Sequence, residues 1–215
     1  MLTNFNFDIH NTFCISLESD HIRWEAMVRR CNEIDLKVTK WIASTIATDN
    51  FDPNLNAGQK GCAQSHINIY RHIIENDLEY AFILEDDACF DKNWKQKLEE
   101  FNYENWDLII LNGSENIKNK NIWECTIDNL QYLTAGYIIS KRGAKWILDT
   151  YYNNYCASDW MTSRLQTLGN SYCYFPWLII QEGKDTRIES DVCVNREKVI
   201  RLLNSIDYSI DNYLI

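Results

Sequence analysis

Apolar residues along this chain fall into short β-prone runs separated by stretches with helical spacing. FCISL at 13–17, YAFILE at 80–85 and WDLIILN at 106–112 are nearly continuous apolar runs, as strands buried on both faces read. Between them, GQKGCAQSHINIYRHIIEN at 58–76 sets Cys62, Ala63, Ile67, Tyr70, Ile73 and Ile74 at three- and four-residue intervals, the stripe of an amphipathic helix packed on a sheet. The pattern predicts strand 12–17, helix 20–32, strand 37–43, a loop through Asp52-Pro53, helix 58–76, strand 80–85, helix 92–101 and strand 106–112. After an Asn- and Lys-rich loop at 112–121 it predicts extended segments near 122–127 and 131–139, then helices N-capped at Ser140 and Ser158. Extended pieces at 171–180, a loop QEGKDTRIES and a last helix near 195–205 follow. This alternation predicts an α/β, Rossmann-like fold: a mostly parallel central sheet with helices on both faces.

The run at 80–85 ends abruptly in Glu85, Asp86 and Asp87. A buried parallel strand delivers such residues to its carboxyl end, where open α/β sheets place their ligands. Clustered carboxylates there suit a hard divalent cation, and the cation suits a phosphate-bearing substrate. A strand-to-loop junction followed by an N-capping Asp91 would look the same. The two-residue alternation of a strand puts Glu85 and Asp87 on one side, with Asp87 the first choice as metal ligand and Glu85 beside it. Asp86 then faces a nucleotide ribose or makes a turn contact; a break in the extended backbone would make it a ligand instead.

Composition narrows the classes. With 215 residues and 46% hydrophobic content, residues 1–215 are expected to form one domain around a sizeable core. A net charge of -10 argues against nucleic acid or an anionic membrane, which need clustered Lys and Arg. The opening MLTNFNFDIHNTF lacks the features of a signal peptide, and no run approaches the roughly 18 apolar residues of a transmembrane segment. The expectation is a soluble, cytoplasmic protein. Abundant Asn, Ile and Lys point to an AT-rich genome, bacterial or of a large DNA virus, whose cytoplasm would be the host's. Eight cysteines at irregular spacing include no Cys-x-x-Cys and no His at the usual zinc-ligand distance, so Cys14, Cys62 and Cys89 read as reduced core thiols. Asn112-Gly113-Ser114 reads as a turn rather than a glycosylated sequon.

GCAQSH at 61–66 followed by ILEDDA at 83–88 resembles glycosyltransferase family 25, which includes lipooligosaccharide galactosyltransferases and collagen hydroxylysine galactosyltransferases. Gly61, Cys62, Ser65 and His66 stand in that family's order and spacing relative to the acids. FCISL sits where the family has its first strand, with Arg23 and Arg29 at basic positions of the next helix. TAGYIISKRGAKWIL at 134–148 is similar to its strand leading into a helix, Ser158-Asp159-Trp160 to its next acidic motif, and QEGKDTRIESD at 181–191 to its closing segment. The resemblance covers about residues 12–192. Asn-rich loops, a short C-terminal end and Ser-Asp-Trp in place of paired acids depart from the pattern, and bear on the base and the acceptor.

The resemblance implies a GT-A-like fold, Mn(II) or Mg(II) as cation, and inverting transfer of a hexose. The donor would be UDP-galactose or UDP-glucose and the acceptor a glycan or a hydroxylysine-bearing chain. Inversion needs a carboxylate to take the acceptor proton while a diphosphate leaves, and a cation to neutralise that diphosphate. Asp159 is the candidate base, although a first-turn acid also simply complements a helix dipole. Of Arg23, Arg71, Lys184 and Arg187, the two in matching motifs, Arg23 and Arg187, are placed on the diphosphate. Gln181 and Asp185 would complete the donor site from a loop containing Gly183 that closes over the donor. His66 reads as a hydrogen-bonded structural residue, and Trp160 and Trp177 as core, rim or sugar-stacking groups. Two other classes remain: a catalytically degenerate GT-A fold serving as a glycan-binding or assembly module, and a phosphohydrolase, whose Asp-x-Asp is missing from Asp86-Asp87-Ala88. Oligomeric state is left open.

Overall fold

The structure, a computed structural model, describes residues 5–113, 121–183 and 196–215. Its elements are β1 (Thr12–Ser16), α1 (His21–Glu33), β2 (Thr39–Ile42), α2 (Ala57–Glu75), β3 (Tyr80–Glu85), β4 (Ala88–Phe90), α3 (Trp94–Glu99) and β5 (Leu108–Ile110). Then come β6 (Asn121–Glu124), β7 (Gly136–Ser140), α4 (Lys141–Tyr151), α5 (Ser158–Leu168), β8 (Ser171–Phe175), β9 (Ile179–Gln181) and α6 (Arg196–Asn204). Seven strands form one sheet in the order β2-β1-β3-β7-β5-β8-β6. β1 runs parallel to β2 and β3, and β5 to β8, while β7 lies antiparallel between β3 and β5, and β6 antiparallel on β8. Five of the seven strands therefore share one direction, and the fold is the expected α/β sheet between helices.

The period of two along β3 divides its side chains between two cores. Ala81 and Ile83 join Phe13, Tyr137, Ile139 and the α2 residues Ala63, Ile67, Tyr70 and Ile73 on one face. Phe82 and Leu84 join Cys14, Ile138, Met27 of α1 and Trp94 and Leu98 of α3 on the other. Each large apolar side chain fully buried in this way contributes about 1.5–3 kcal/mol. A third cluster packs Cys89, Ile180 and Trp177 against Val199 and Leu203 of α6, and so secures the small β4–β9 ladder to the C-terminal helix.

Several boundaries differ from the pattern's prediction for local reasons. The run 171–180 splits into β8 and β9 because Pro176 has no N–H to continue a ladder. β4 is too short to read from three residues and exists because its backbone pairs with β9. Ser140 caps α4 by accepting from the Gly143 N–H at 3.1 Å. Ser158, by contrast, is the first residue inside α5 and makes no cap hydrogen bond, so its hydroxyl is free to serve the site described below.

Gly61 sits where α2 crosses the loop after β2. A Cβ there would lie 2.4 Å from the Ser44 carbonyl oxygen. Ser65 clamps the same crossing, donating to the Gly61 carbonyl at 2.8 Å and accepting from the Ser44 N–H at 2.8 Å. Gly61→Ala is therefore expected to cost about 1–3 kcal/mol, read as a lower denaturant midpoint at unchanged slope. No helix among the described residues is long and apolar enough to cross a membrane.

Candidate active site

The carboxyl end of β3 opens on the rim of the sheet, with α1 on one side and α2 on the other. Glu85 is the last residue of β3, and its carboxylate turns toward α2. Oε1 accepts from the Thr134 hydroxyl at 2.6 Å and lies 3.4 Å from His66 Nε2. His66 is completely buried, with Nδ1 2.8 Å from the Tyr137 hydroxyl, itself 2.6 Å from that of Tyr70. Thr134 Oγ1 is also 3.1 Å from Ser158 Oγ, which lies 3.7 Å from Cys62 Sγ. Burial opposes ionisation of Glu85, but His66, Thr134 and Arg23 together hold its carboxyl below the usual range.

Asp86 and Asp87 follow in a turn before β4, and there the strand alternation ends. Instead of facing apart, the two carboxylates converge on α1: Arg23 Nη2 is 2.8 Å from Asp86 Oδ1 and 3.1 Å from Asp87 Oδ2. The pairing of Asp87 with Glu85 by alternation is thereby corrected, because a turn has no period of two. Arg23 is fixed in the first turn of α1, whose N-cap Asp20 accepts from the Arg23 N–H at 3.3 Å. Burial raises the pKa of Asp86 despite Arg23. Burial and then the neighbouring Glu85 push Asp87 up to about 7 against the pull of Arg23, and its Oδ1 is buried without a hydrogen-bond partner. Crowded carboxylates with an unsatisfied oxygen and one shared guanidinium fit a hard divalent cation held by oxygen ligands.

Asp159 reaches the same rim from α5. Burial raises its pKa, the Trp160 N–H opposes this, and the charge of Glu85 adds to it. The chain opposite is strained: Leu133 has φ 81°, a conformation that bulky residues rarely adopt, immediately before Thr134. β4 and β9 bring Gln181 opposite Ala88, and the next N–H, of Glu182, donates to the Asp87 carbonyl at 2.8 Å. Gly183 follows with φ 71°. Lys184, Asp185 and Arg187 lie outside the described residues.

Arg71 is engaged with Asp49 at 2.8 Å, so it is not among the cations gathered at the acids. Trp160 is 64% exposed beside Asp159, whereas Trp177 is fully buried and offers no face to a sugar. Sequence reasoning missed Arg30, which is 1% exposed, donates to Glu182 Oε2 at 2.5 Å and thereby ties the end of β9 to α1. Its signal was an arginine on the buried face of α1, one turn from Met27. Thr134 and Tyr137 were also missed as partners of Glu85 and His66, since nothing local to β7 marks them.

The family profile described as Glycosyltransferase family 25 (LPS biosynthesis protein) matches residues 9–123, just over half of the chain. The chain belongs to glycosyltransferase family 25. The matched segment includes Arg23, His66, Glu85, Asp86 and Asp87, and ends before Asp159 and Gln181. Procollagen galactosyltransferase 1-B of Xenopus laevis is 32% identical over 107 residues, 44% of this chain and 18% of the relative. A putative glycosyltransferase of Haemophilus influenzae is 28% identical over 151 residues, 65% of this chain and 49% of the relative. Probable inactive glycosyltransferase 25 family member 3 of Bos taurus is 30% identical over 105 residues, 44% of this chain and 18% of the relative. The chain thus spans at most about half the length of these family 25 relatives. Among solved structures, a glycosyltransferase involved in glycosylation of the major capsid of PBCV-1 aligns with a TM-score of 0.47 and 9% identity over 89% of this chain and 97% of that one. That likeness is too distant to support a conclusion.

Proposed function

We propose that this chain is an inverting, metal-dependent glycosyltransferase that moves a hexose, galactose or glucose, from a UDP-sugar to a hydroxyl of a glycan or hydroxylysine-bearing acceptor. The observation that carries the reading is the convergence of Asp86 and Asp87 on Arg23 at the end of β3, with a buried, unsatisfied carboxylate oxygen on Asp87. Asp87 is the principal ligand of the cation, Asp86 its companion, and Glu85 a neighbouring charge that stays ionised. Mn(II), or Mg(II), supplies Lewis-acid stabilisation of the leaving diphosphate when bound. Arg23 exchanges its carboxylate partners for a diphosphate oxygen, since a guanidinium matches phosphate as well as carboxylate. Asp159, with its raised pKa, accepts the acceptor's proton as the oxygen attacks. Trp160 offers an exposed ring to the acceptor sugar. Gln181 stands at the donor side, and Asp185 and Arg187 are assigned to the same side through the family motif.

A panel of nucleotide sugars, with and without Mn(II), tests class, donor and metal together by nucleoside diphosphate release. The expected result is release from UDP-galactose or UDP-glucose that a chelator abolishes. Release that persists in chelator would remove the metal from the reading. The second reading, a catalytically degenerate module, is favoured by one specific observation, the similarity to a probable inactive family member. Silence across the whole panel, together with calorimetric glycan binding that needs neither metal nor UDP, would select it.

A further inference from the structure

We propose that Cys62, His66 and Glu85 form a second cation site, chemically distinct from the aspartate pair, that takes a zinc-type ion on the α2 side of the rim. Cys62 and His66 are four residues apart on α2, so both project from one helical face. β3 brings Glu85 opposite them. Among the described residues, the thiol sulfur, an imidazole nitrogen and a carboxylate oxygen all lie within 4.8 Å of one another.

An independent observation points to a ligand there. His66 is 0% exposed, yet its Nε2 has no hydrogen-bond partner and faces Glu85. An Nε2–H shared with the carboxylate would be expected at about 2.7–2.9 Å. The separation is 3.4 Å, and the Thr134 hydroxyl already occupies the close position on the same oxygen at 2.6 Å. A bound cation would select the tautomer with the ring proton on Nδ1, in which His66 donates to Tyr137 and directs the Nε2 lone pair into the cluster. That is the orientation of metal-binding histidines, whose second nitrogen donates to an outer partner. Each ligand has such support: Tyr137 and then Tyr70 behind His66, Thr134 on Glu85, and Ser158 beside Cys62.

Ligand chemistry separates the two sites. A thiolate, an imidazole and a carboxylate favour Zn(II) or Co(II), whereas an all-oxygen aspartate pair favours Mn(II) or Mg(II). Tetrahedral bonds of about 2.0–2.3 Å space ligand atoms roughly 3.3–3.8 Å apart. The His66–Glu85 separation of 3.4 Å already meets this, and small side-chain rotations bring in Cys62. On binding, the Cys62 thiol loses its proton to solvent, so one thiolate and one carboxylate balance the dication. Three protein ligands leave a fourth position open. Sequence spacing missed the site because its ligands come from one helical turn and a strand end, not from a Cys-x-x-Cys ribbon.

The test uses the full metal-free chain and Co(II) as a spectroscopic probe. One equivalent should bind with a thiolate-to-cobalt charge-transfer band in the near ultraviolet, displaced by Zn(II). The band should vanish in Cys62→Ser, weaken at least about tenfold in affinity in His66→Asn, and persist in Asp87→Asn. Without any substitution, Zn(II) but not Mn(II) should slow alkylation of Cys62 as read by mass spectrometry. A wild-type protein with no such band, a band retained in Cys62→Ser, or unaltered Cys62 alkylation would overturn the site. No readout involves a sugar donor, so the site and the transferase reading stand or fall separately.

Discussion

Asp87→Asn is expected to lower metal-dependent turnover of the sugar nucleotide by at least about 10²–10³-fold while leaving the fold intact. The side chain stays the same size, so packing around the turn is kept. Lost is the negative oxygen that would oppose the dication, and with it the charge stabilisation of the leaving diphosphate. A second readout follows from its titration. Asp87 is pushed up to about 7 by burial and by Glu85, so between about pH 4 and 7 the folded chain holds a proton that the unfolded chain has released. Metal-free wild type therefore loses stability from this group as pH rises through that window, and the loss is complete above it. Below about pH 4 both states are protonated, so this group's stability is fully present and no longer changes with pH. Glu85, held below its usual range, acts in the opposite sense and only on the acid side. Thermal melting of metal-free wild type and Asp87→Asn across this range should show the difference growing toward neutral pH, and Mn(II) should stabilise wild type selectively. Equal turnover in the two proteins would remove Asp87 from the cation site.

Asp159→Asn is expected to reduce kcat for transfer by about 10²–10⁴-fold with little change in the donor's KM. A general base acts only as the acceptor oxygen attacks, so its loss spares ground-state binding. Burial and Glu85 raise the pKa of Asp159, which makes it a stronger base than an exposed aspartate. The wild-type rate should accordingly fall as pH drops and the carboxyl becomes protonated, and the variant should lose this dependence. Donor hydrolysis by water, measured in parallel, reports whether the donor site survived. A variant within a few-fold of wild type in kcat would assign the proton to another group.

The strands around Phe13, Ile83 and Ile109 and the stripe on α2 were legible because burial on both sides of a sheet, or along one helical face, writes itself into composition at periods of two and 3.6. GCAQSH and ILEDDA carried the family for the same local reason. The insertion of β7 antiparallel between β3 and β5 was not legible, since strand direction is decided by which edges remain open after earlier strands pair. The same holds for β4, whose three residues are a strand only through β9.

The amino-acid order alone determined that a β-strand must end in three consecutive acids at the ligand edge of an α/β sheet, because hydrophobic runs and charge are local properties. Only the tertiary structure decided how those acids are divided. Asp86 and Asp87 meet Arg23 of α1, while Glu85 meets His66 of α2 and Thr134 beside β7. A turn two residues long redirected the side chains, and partners 19 to 64 positions distant in sequence completed them, through packing that no local pattern encodes.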